Sequence, residues 1–149
     1  MARNSIVIHA PPEDVYAVLS DADSYARWVV GSKEIRGTDR DWPRPGGRFH
    51  HTVGAGPARI EDDSEVTRAE PGRRLELEVR FRPAGTAHVT IELEPEAGAR
   101  ATALTMTEVP TGGPPLRVWR LALDAVTHLR NTESLRRLRR IVEARSARA

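Results

Sequence analysis

The chain of 149 residues contains no cysteine. Disulfide bonds, thiolate metal ligands and cysteine nucleophiles are therefore excluded. Lysine is almost as scarce, since Lys33 is the only one, and arginines account for the sequence pI near 9.6 while the formal net charge is only +2. A nearly neutral chain is poorly suited to gripping phosphate backbones, so we expect no nucleic-acid partner.

Long hydrophobic runs are also missing. No apolar stretch approaches the roughly 20 residues of a membrane-spanning helix, and the N-terminus lacks the apolar core of a signal peptide. The sequence has no phosphate-binding loop, no dinucleotide-binding glycine motif and no serine nucleophile elbow. We therefore expect one cytoplasmic domain, residues 1–149, with no stable membrane association and no cofactor.

Short alternating segments make up most of the chain. In the clearest one, Arg74 to Arg82, every second residue is apolar and the residues between are charged. Similar patterns predict strands over 4–10, 33–37, 48–53, 58–68, 88–94 and 100–109, with turns that include Pro71-Gly72 and Pro95 to Gly98. Successive strands joined by short turns predict an antiparallel sheet that is buried on one side.

Helices are predicted at both ends of this series. Two short ones follow the first strand, over Glu13 to Leu19 and Ala22 to Val29, and a long one follows Pro114-Pro115 and would span roughly 45 Å. This order predicts an α+β fold, in which a curved antiparallel sheet of about six or seven strands wraps around the long C-terminal helix. The space between sheet and helix is the expected place for a pocket.

The long helix carries two apolar stripes that do not coincide. The stripe from Val118 to Leu129 lies almost opposite the one formed by Leu135, Leu138, Ile141 and Val142, at 100° per residue. If the second stripe grips the sheet, the first half presents polar residues to a cavity: Arg120, Asp124, Thr127 and Asn131. The alternatives are a kink or break near 130–134, or a first stripe covered by a second subunit in a homodimer.

Several of these features together resemble a known superfamily. They are the Pro-Pro-Glu-Asp-Val-Tyr start of the first helix at 11–16, Trp28, the Trp42-Pro43 loop and the Arg130-Asn131, Leu135, Leu138 spacing. The chain is similar to the SRPBCC (START-like, helix-grip) superfamily, in its polyketide cyclase/dehydrase and lipid-transport branch. The resemblance implies an internal hydrophobic cavity, in members that include carriers, ligand sensors and cyclases, so it does not by itself decide the function.

His50 and His51 are adjacent on a predicted strand. Neighbouring strand residues point to opposite faces, so the two cannot share a metal ion, and no metal-binding spacing occurs elsewhere. We expect no metal site. His51 shares its face with Phe49 and Val53, which predicts that it faces the cavity. It is then either a hydrogen-bonded wall residue, or an acid/base group or ligand contact.

Glu108 shares its predicted face with Leu104 and Met106, so we expect it to point inward. A buried carboxylate needs a partner. One interpretation is an ion pair with an arginine such as Arg130, or a place at the solvated rim; the other is a base at the cavity mouth. Asp62 and Ser64 are weaker candidates of the same kind.

We predict a binding protein for a small hydrophobic or aromatic, polyketide- or lipid-like molecule. The predicted ligand-binding residues are Trp28, Phe49, His51, Asp62, Leu104, Met106, Thr127 and Asn131. The alternative is a cyclase or dehydratase without cofactor, with His51 and Glu108 as acid and base and Asn131 or Thr127 orienting the substrate oxygen. A third hypothesis is a protein-interaction role for the first stripe of the long helix.

Overall fold

The structure, a computed structural model, describes residues 1–54, 57, 59–81, 85–113 and 120–148, with backbone alone at 81 and 120–123. Seven strands are seen: β1 Ala2–Ile8, β2 Ser32–Thr38, β3 Arg48–Val53, β4 Ile60–Glu70, β5 Arg74–Phe81, β6 Gly85–Glu96 and β7 Ala101–Gly112. The helices are α1 Pro12–Leu19, a 3₁₀ turn Ala22–Ser24, α2 Tyr25–Trp28 and α3 Arg120–Ser146. The α+β fold is confirmed.

The seven strands form one antiparallel sheet in the order β1-β7-β6-β5-β4-β3-β2. The sheet is curved and does not close into a barrel. Cross-strand pairs on its concave face join large apolar residues, as where Leu75 faces Ile91 and Leu77 faces Val89. All four side chains are buried, so the alternation read from the sequence places the core on this face.

Some predicted boundaries are wrong. The first strand covers Ala2–Ile8 instead of 4–10, and the predicted second helix is a 3₁₀ turn followed by one α-helical turn. Pro95 does not begin a turn but pairs with Thr102 within β6, because the β6–β7 ladder continues as far as Glu96 and Ala101. The predicted helix start after Pro114-Pro115 lies outside the described residues.

The C-terminal half of α3 holds the helix on the sheet. Leu135, Leu138 and Val142 are fully buried in the same core as the strands. The helix continues through 130–134 without a break. The residues of the first stripe whose side chains are described are turned away from the core, and Val126 and Leu129 are 64% and 69% exposed.

Two hydrogen-bonded contacts fix the rotation of α3 about its axis. The amide of Asn4, buried on β1, donates to the backbone oxygen of His128 at 2.9 Å and to Thr132 Oγ1 at 2.8 Å. On the other side, the backbone N–H of Val30 donates to Ser134 Oγ at 3.0 Å. These contacts orient Asn131 and Ser134 toward the sheet.

We expect Leu138→Ala to lower the free energy of unfolding by about 2 to 5 kcal/mol, because it leaves a cavity in the core. The matched control is Leu129→Ala on the exposed face of the same helix, which should change it by less than about 0.5 kcal/mol. Urea unfolding followed by far-UV circular dichroism measures both. Equal effects of the two substitutions would contradict the observed orientation of α3.

Candidate functional site

A cavity of about 190 Å³ lies between the concave face of the sheet and the helices α2 and α3. Its lining is mostly aromatic and aliphatic. The lining residues are Tyr25, Trp28, Val29, Val30, Gly31, Ser32, Phe49, His51, Val53, Gly54, Ser64, Leu77, Val79, Val89, Ile91, Met106, Glu108, Arg130, Asn131 and Ser134.

Three aromatic rings form one wall of the cavity. The ring centroid of Tyr25 lies 4.9 Å from that of Trp28 and 4.8 Å from that of Phe49. The polar atoms of this wall are bonded within the protein: Trp28 Nε1 donates to Ser24 Oγ at 3.1 Å, and the Tyr25 hydroxyl donates to the Leu19 backbone oxygen at 2.8 Å. Burial raises the pKa of Tyr25, so its hydroxyl stays neutral. The wall therefore offers apolar ring surface for stacking.

His51 continues this wall on β3. It is buried, its ring centroid lies 5.1 Å from that of Phe49, and its Nε2 lies 3.1 Å from Ser64 Oγ. Burial lowers the pKa of His51 below its ordinary value of 6.5, and the negative charge of Asp62 only partly opposes this. His51 is thus a neutral imidazole at pH 7. His50 points to the other face of the sheet, near Asp39, so the prediction that the two histidines diverge is confirmed.

Glu108 lies at the other side of the cavity, where β7 faces α3. Its Oε2 accepts hydrogen bonds from Arg130 Nη2 at 2.6 Å and from Asn131 Nδ2 at 3.0 Å. Arg130 Nη2 also donates to Asn131 Oδ1 at 3.1 Å. Of the two interpretations of Glu108, the ion pair with Arg130 is the one observed.

Three of the predicted site residues do not line the cavity. Asp62 is buried opposite His51 in the β3–β4 ladder, but its Oδ1 accepts the backbone N–H of Asp63 at 3.0 Å. Leu104 is fully buried in the core, and Thr127 is half-buried on α3. The other predicted residues come together at the cavity: Trp28, Phe49, His51, Met106, Glu108 and Asn131.

Sequence analysis missed Tyr25 and Ser134 as lining residues. Ser134 follows Asn131 by three positions, so it shares the helix face that was assigned to the cavity. That spacing was a usable signal. No comparable pattern pointed to Tyr25, because the short helix α2 has too few residues to define a face.

The cavity lining reaches the protein surface just before the start of β2. Gly31 is exposed there, and its backbone oxygen accepts the N–H of Gly54 at 3.0 Å. Arg130 is another lining residue that solvent reaches, with a side chain that is 27% exposed.

Within the described part of the chain, no group of three or more histidine, aspartate or glutamate side chains is placed to hold a metal ion. None of the helices among the described residues is both long enough and apolar enough to cross a membrane.

A family model described as polyketide cyclase/dehydrase and lipid transport matches residues 2–143. The chain belongs to this family. The predicted SRPBCC membership is thereby confirmed. No curated protein matches the chain significantly.

Several solved structures resemble the chain along nearly its whole length. A Chromobacterium violaceum protein is 23% identical with a TM-score of 0.72, over 96% of this chain and 99% of that one. The ZhuI aromatase/cyclase from Streptomyces sp. R1128 is 15% identical with a TM-score of 0.76, over 97% and 93%. A START superfamily protein from Mycobacterium smegmatis is 14% identical with a TM-score of 0.67, over 99% and 97%. At these identities the likeness establishes the fold alone.

The lowered pKa of His51 makes stability depend on pH. As the pH falls, His51 is protonated near pH 6.5 in the unfolded chain but only at a lower pH in the folded chain. The contribution of neutral His51 to the free energy of unfolding is therefore complete above pH 6.5. We expect it to be lost as the pH falls from 6.5 through the folded pKa. Urea unfolding from about pH 8 to about pH 5 measures the difference in the free energy of unfolding between wild type and His51→Gln. This difference should shrink or reverse at the acid end. A difference that stays constant would contradict a lowered pKa, since the other histidines cancel in the subtraction.

Proposed function

We propose that the protein binds a small hydrophobic or aromatic molecule in the cavity between the sheet and α3. The observation that carries this proposal is the apolar lining, with three aromatic rings whose polar atoms are already bonded within the protein. A ligand would gain ring stacking and burial there without competing for those hydrogen bonds.

The cavity volume limits the size of the ligand. An apolar protein cavity of about 150 Å³ accommodates benzene. At about 190 Å³, this cavity matches a molecule of one or two rings with small substituents. A longer chain or a larger ring system would extend through the mouth at Gly31.

The family and one structural relative agree with this ligand class. The family description covers polyketide cyclases, dehydrases and lipid transport, and the Streptomyces relative is named an aromatase/cyclase. These descriptions share a hydrophobic or ring-forming ligand. They leave open whether the ligand is carried or converted.

Filling the cavity should weaken binding. We expect the two-ring phenol 2-naphthol to bind wild type, and Val89→Phe to weaken binding by about tenfold or more, which is about 1.4 kcal/mol, because the added ring occupies the ligand's space. Val7→Phe, at an exposed position of β1, is the matched control and should bind as wild type does. Isothermal titration calorimetry measures all three. Equal affinity of both variants would place the binding elsewhere.

A second candidate function is a cyclase or dehydratase that needs no cofactor. The observation that favours it is a neutral imidazole, His51, in the cavity wall across from the cluster of Glu108, Arg130 and Asn131. His51 would accept a proton from a carbon next to a carbonyl group, and the Asn131 amide N–H would stabilise the enolate oxygen that forms. The His51 imidazolium would then return a proton to the substrate.

Proton exchange tests this enzymatic alternative directly. The protein should accelerate exchange of the α-protons of 2-tetralone, a bicyclic ketone, with deuterated water, as followed by proton NMR. His51→Gln should remove that acceleration while leaving 2-naphthol affinity within about threefold. If wild type and His51→Gln exchange the protons at the same rate as buffer, the enzymatic alternative fails and binding alone remains.

The remaining predictions concern the oligomeric state, the domain organisation and the cellular location of the protein. The exposed Val126 and Leu129 on α3 are the surface through which a homodimer would form. We propose that residues 1–149 work as one domain, consistent with a family match over 2–143. The cytoplasmic location remains a prediction.

A further inference from the structure

The two carboxylate oxygens of Glu108 are used unequally. Oε2 receives both hydrogen bonds, from Arg130 and Asn131. Oε1 receives none from the residues that the structure describes, although the side chain is only 7% exposed and lines the cavity. This oxygen is not among the enclosed polar atoms without a partner in the described residues, so it opens onto the cavity, where a charged acceptor forms strong hydrogen bonds with a donor. The cavity therefore contains an unfilled acceptor.

Neighbouring polar groups complete this end of the cavity. Ser134 Oγ accepts the Val30 N–H, and a hydroxyl group has one proton of its own to donate. Asn131 is held by its bonds to Glu108 and Arg130, which fixes the amide in place. A ligand oxygen that donates one proton to Glu108 Oε1 could also accept from this hydroxyl.

The net charge of the cluster restricts the ligand further. Glu108 and Arg130 form an ion pair, so their charges cancel at this end of the cavity. The pair therefore supplies no net positive charge to attract an anion, and an anion has no proton to donate to Oε1. A ligand with acceptors only would also leave Oε1 without a partner. A neutral hydroxyl group meets both conditions.

We propose that the cavity selects neutral aromatic molecules that carry a phenol or enol hydroxyl, with the hydroxyl donating to Glu108 Oε1 and the ring against Tyr25, Trp28 and Phe49. This inference rests on the proposed binding function and names its ligand class. Glu108 is then the residue that determines specificity, and the aromatic wall supplies affinity that is independent of the hydroxyl.

Ligands that differ at one substituent test the inference in the unmodified protein. 2-Naphthol and 2-methylnaphthalene have the same ring system and nearly the same size, but only the first has a donor. We expect 2-naphthol to bind about tenfold more tightly or better, as a hydrogen bond to a charged acceptor provides. The anion 2-naphthoate should bind more weakly than either. Isothermal titration calorimetry at pH 7 gives the three affinities.

Two variants test whether Glu108 causes the preference for a hydroxyl group. Glu108→Gln should bring the affinities of 2-naphthol and 2-methylnaphthalene close together, because the charged acceptor is gone. Glu94→Gln makes the same change at an exposed position of β6 outside the cavity lining, and it should keep the wild-type preference. Circular dichroism confirms that each variant is folded, and the comparison of ligands in wild type stands without either.

The outcomes separate the two proposals. If 2-methylnaphthalene binds as tightly as 2-naphthol, or 2-naphthoate binds best, the hydroxyl preference is overturned while the hydrophobic cavity function stands. If none of the three ligands binds, the proposed function fails and the preference with it. An unchanged preference in Glu108→Gln would overturn the role of Glu108.

Discussion

The packing of Leu135, Leu138 and Val142 into the sheet is the constraint on which the rest of the molecule depends. These three residues fix the position and rotation of α3. Since the helix is unbroken, its first half must follow the same line over the concave face. Asn131 and Ser134 then face the space between sheet and helix. Leucines at these two positions would have filled that space. A cavity remains because the apolar stripe of Leu135, Leu138 and Val142 ends one helical turn before it.

The polar side chains over the cavity are stable because they satisfy one another. Glu108 on β7 is compensated by Arg130 and Asn131 on α3, which joins the sheet to the helix by an ion pair and an amide contact. The attraction of a charged partner and the added hydrogen bonds offset part of the desolvation cost of a buried carboxylate. The cluster thus holds the helix at a fixed distance from the sheet while it leaves one carboxylate oxygen for a ligand.

Much of this arrangement could be predicted from the sequence, and the limits have physical causes. Strand alternation placed Leu75, Leu77, Ile91 and Met106 correctly, because a period of two leaves little choice once one face is buried. The two stripes of α3 indicated that its halves do different work. The sequence could not exclude a break at 130–134, since that depends on contacts made by Asn4 and Val30 far away in the chain. It also could not show that Asp62 and Leu104 are absent from the lining. Alternation predicts that a side chain lies on the inner face of the sheet, but not that it contacts the cavity.

Methyl NMR during a titration with 2-naphthol tests the central claim most directly, which is that a ring enters this cavity. Met106 and Ile91 line the cavity, whereas Ile8 is equally well buried in the same core but does not. We predict saturable shifts of the Met106 and Ile91 methyl signals, with Ile8 unchanged. Shifts confined to exposed residues such as Val126 and Leu129, or no saturable shift at Met106, would contradict a binding cavity between sheet and helix.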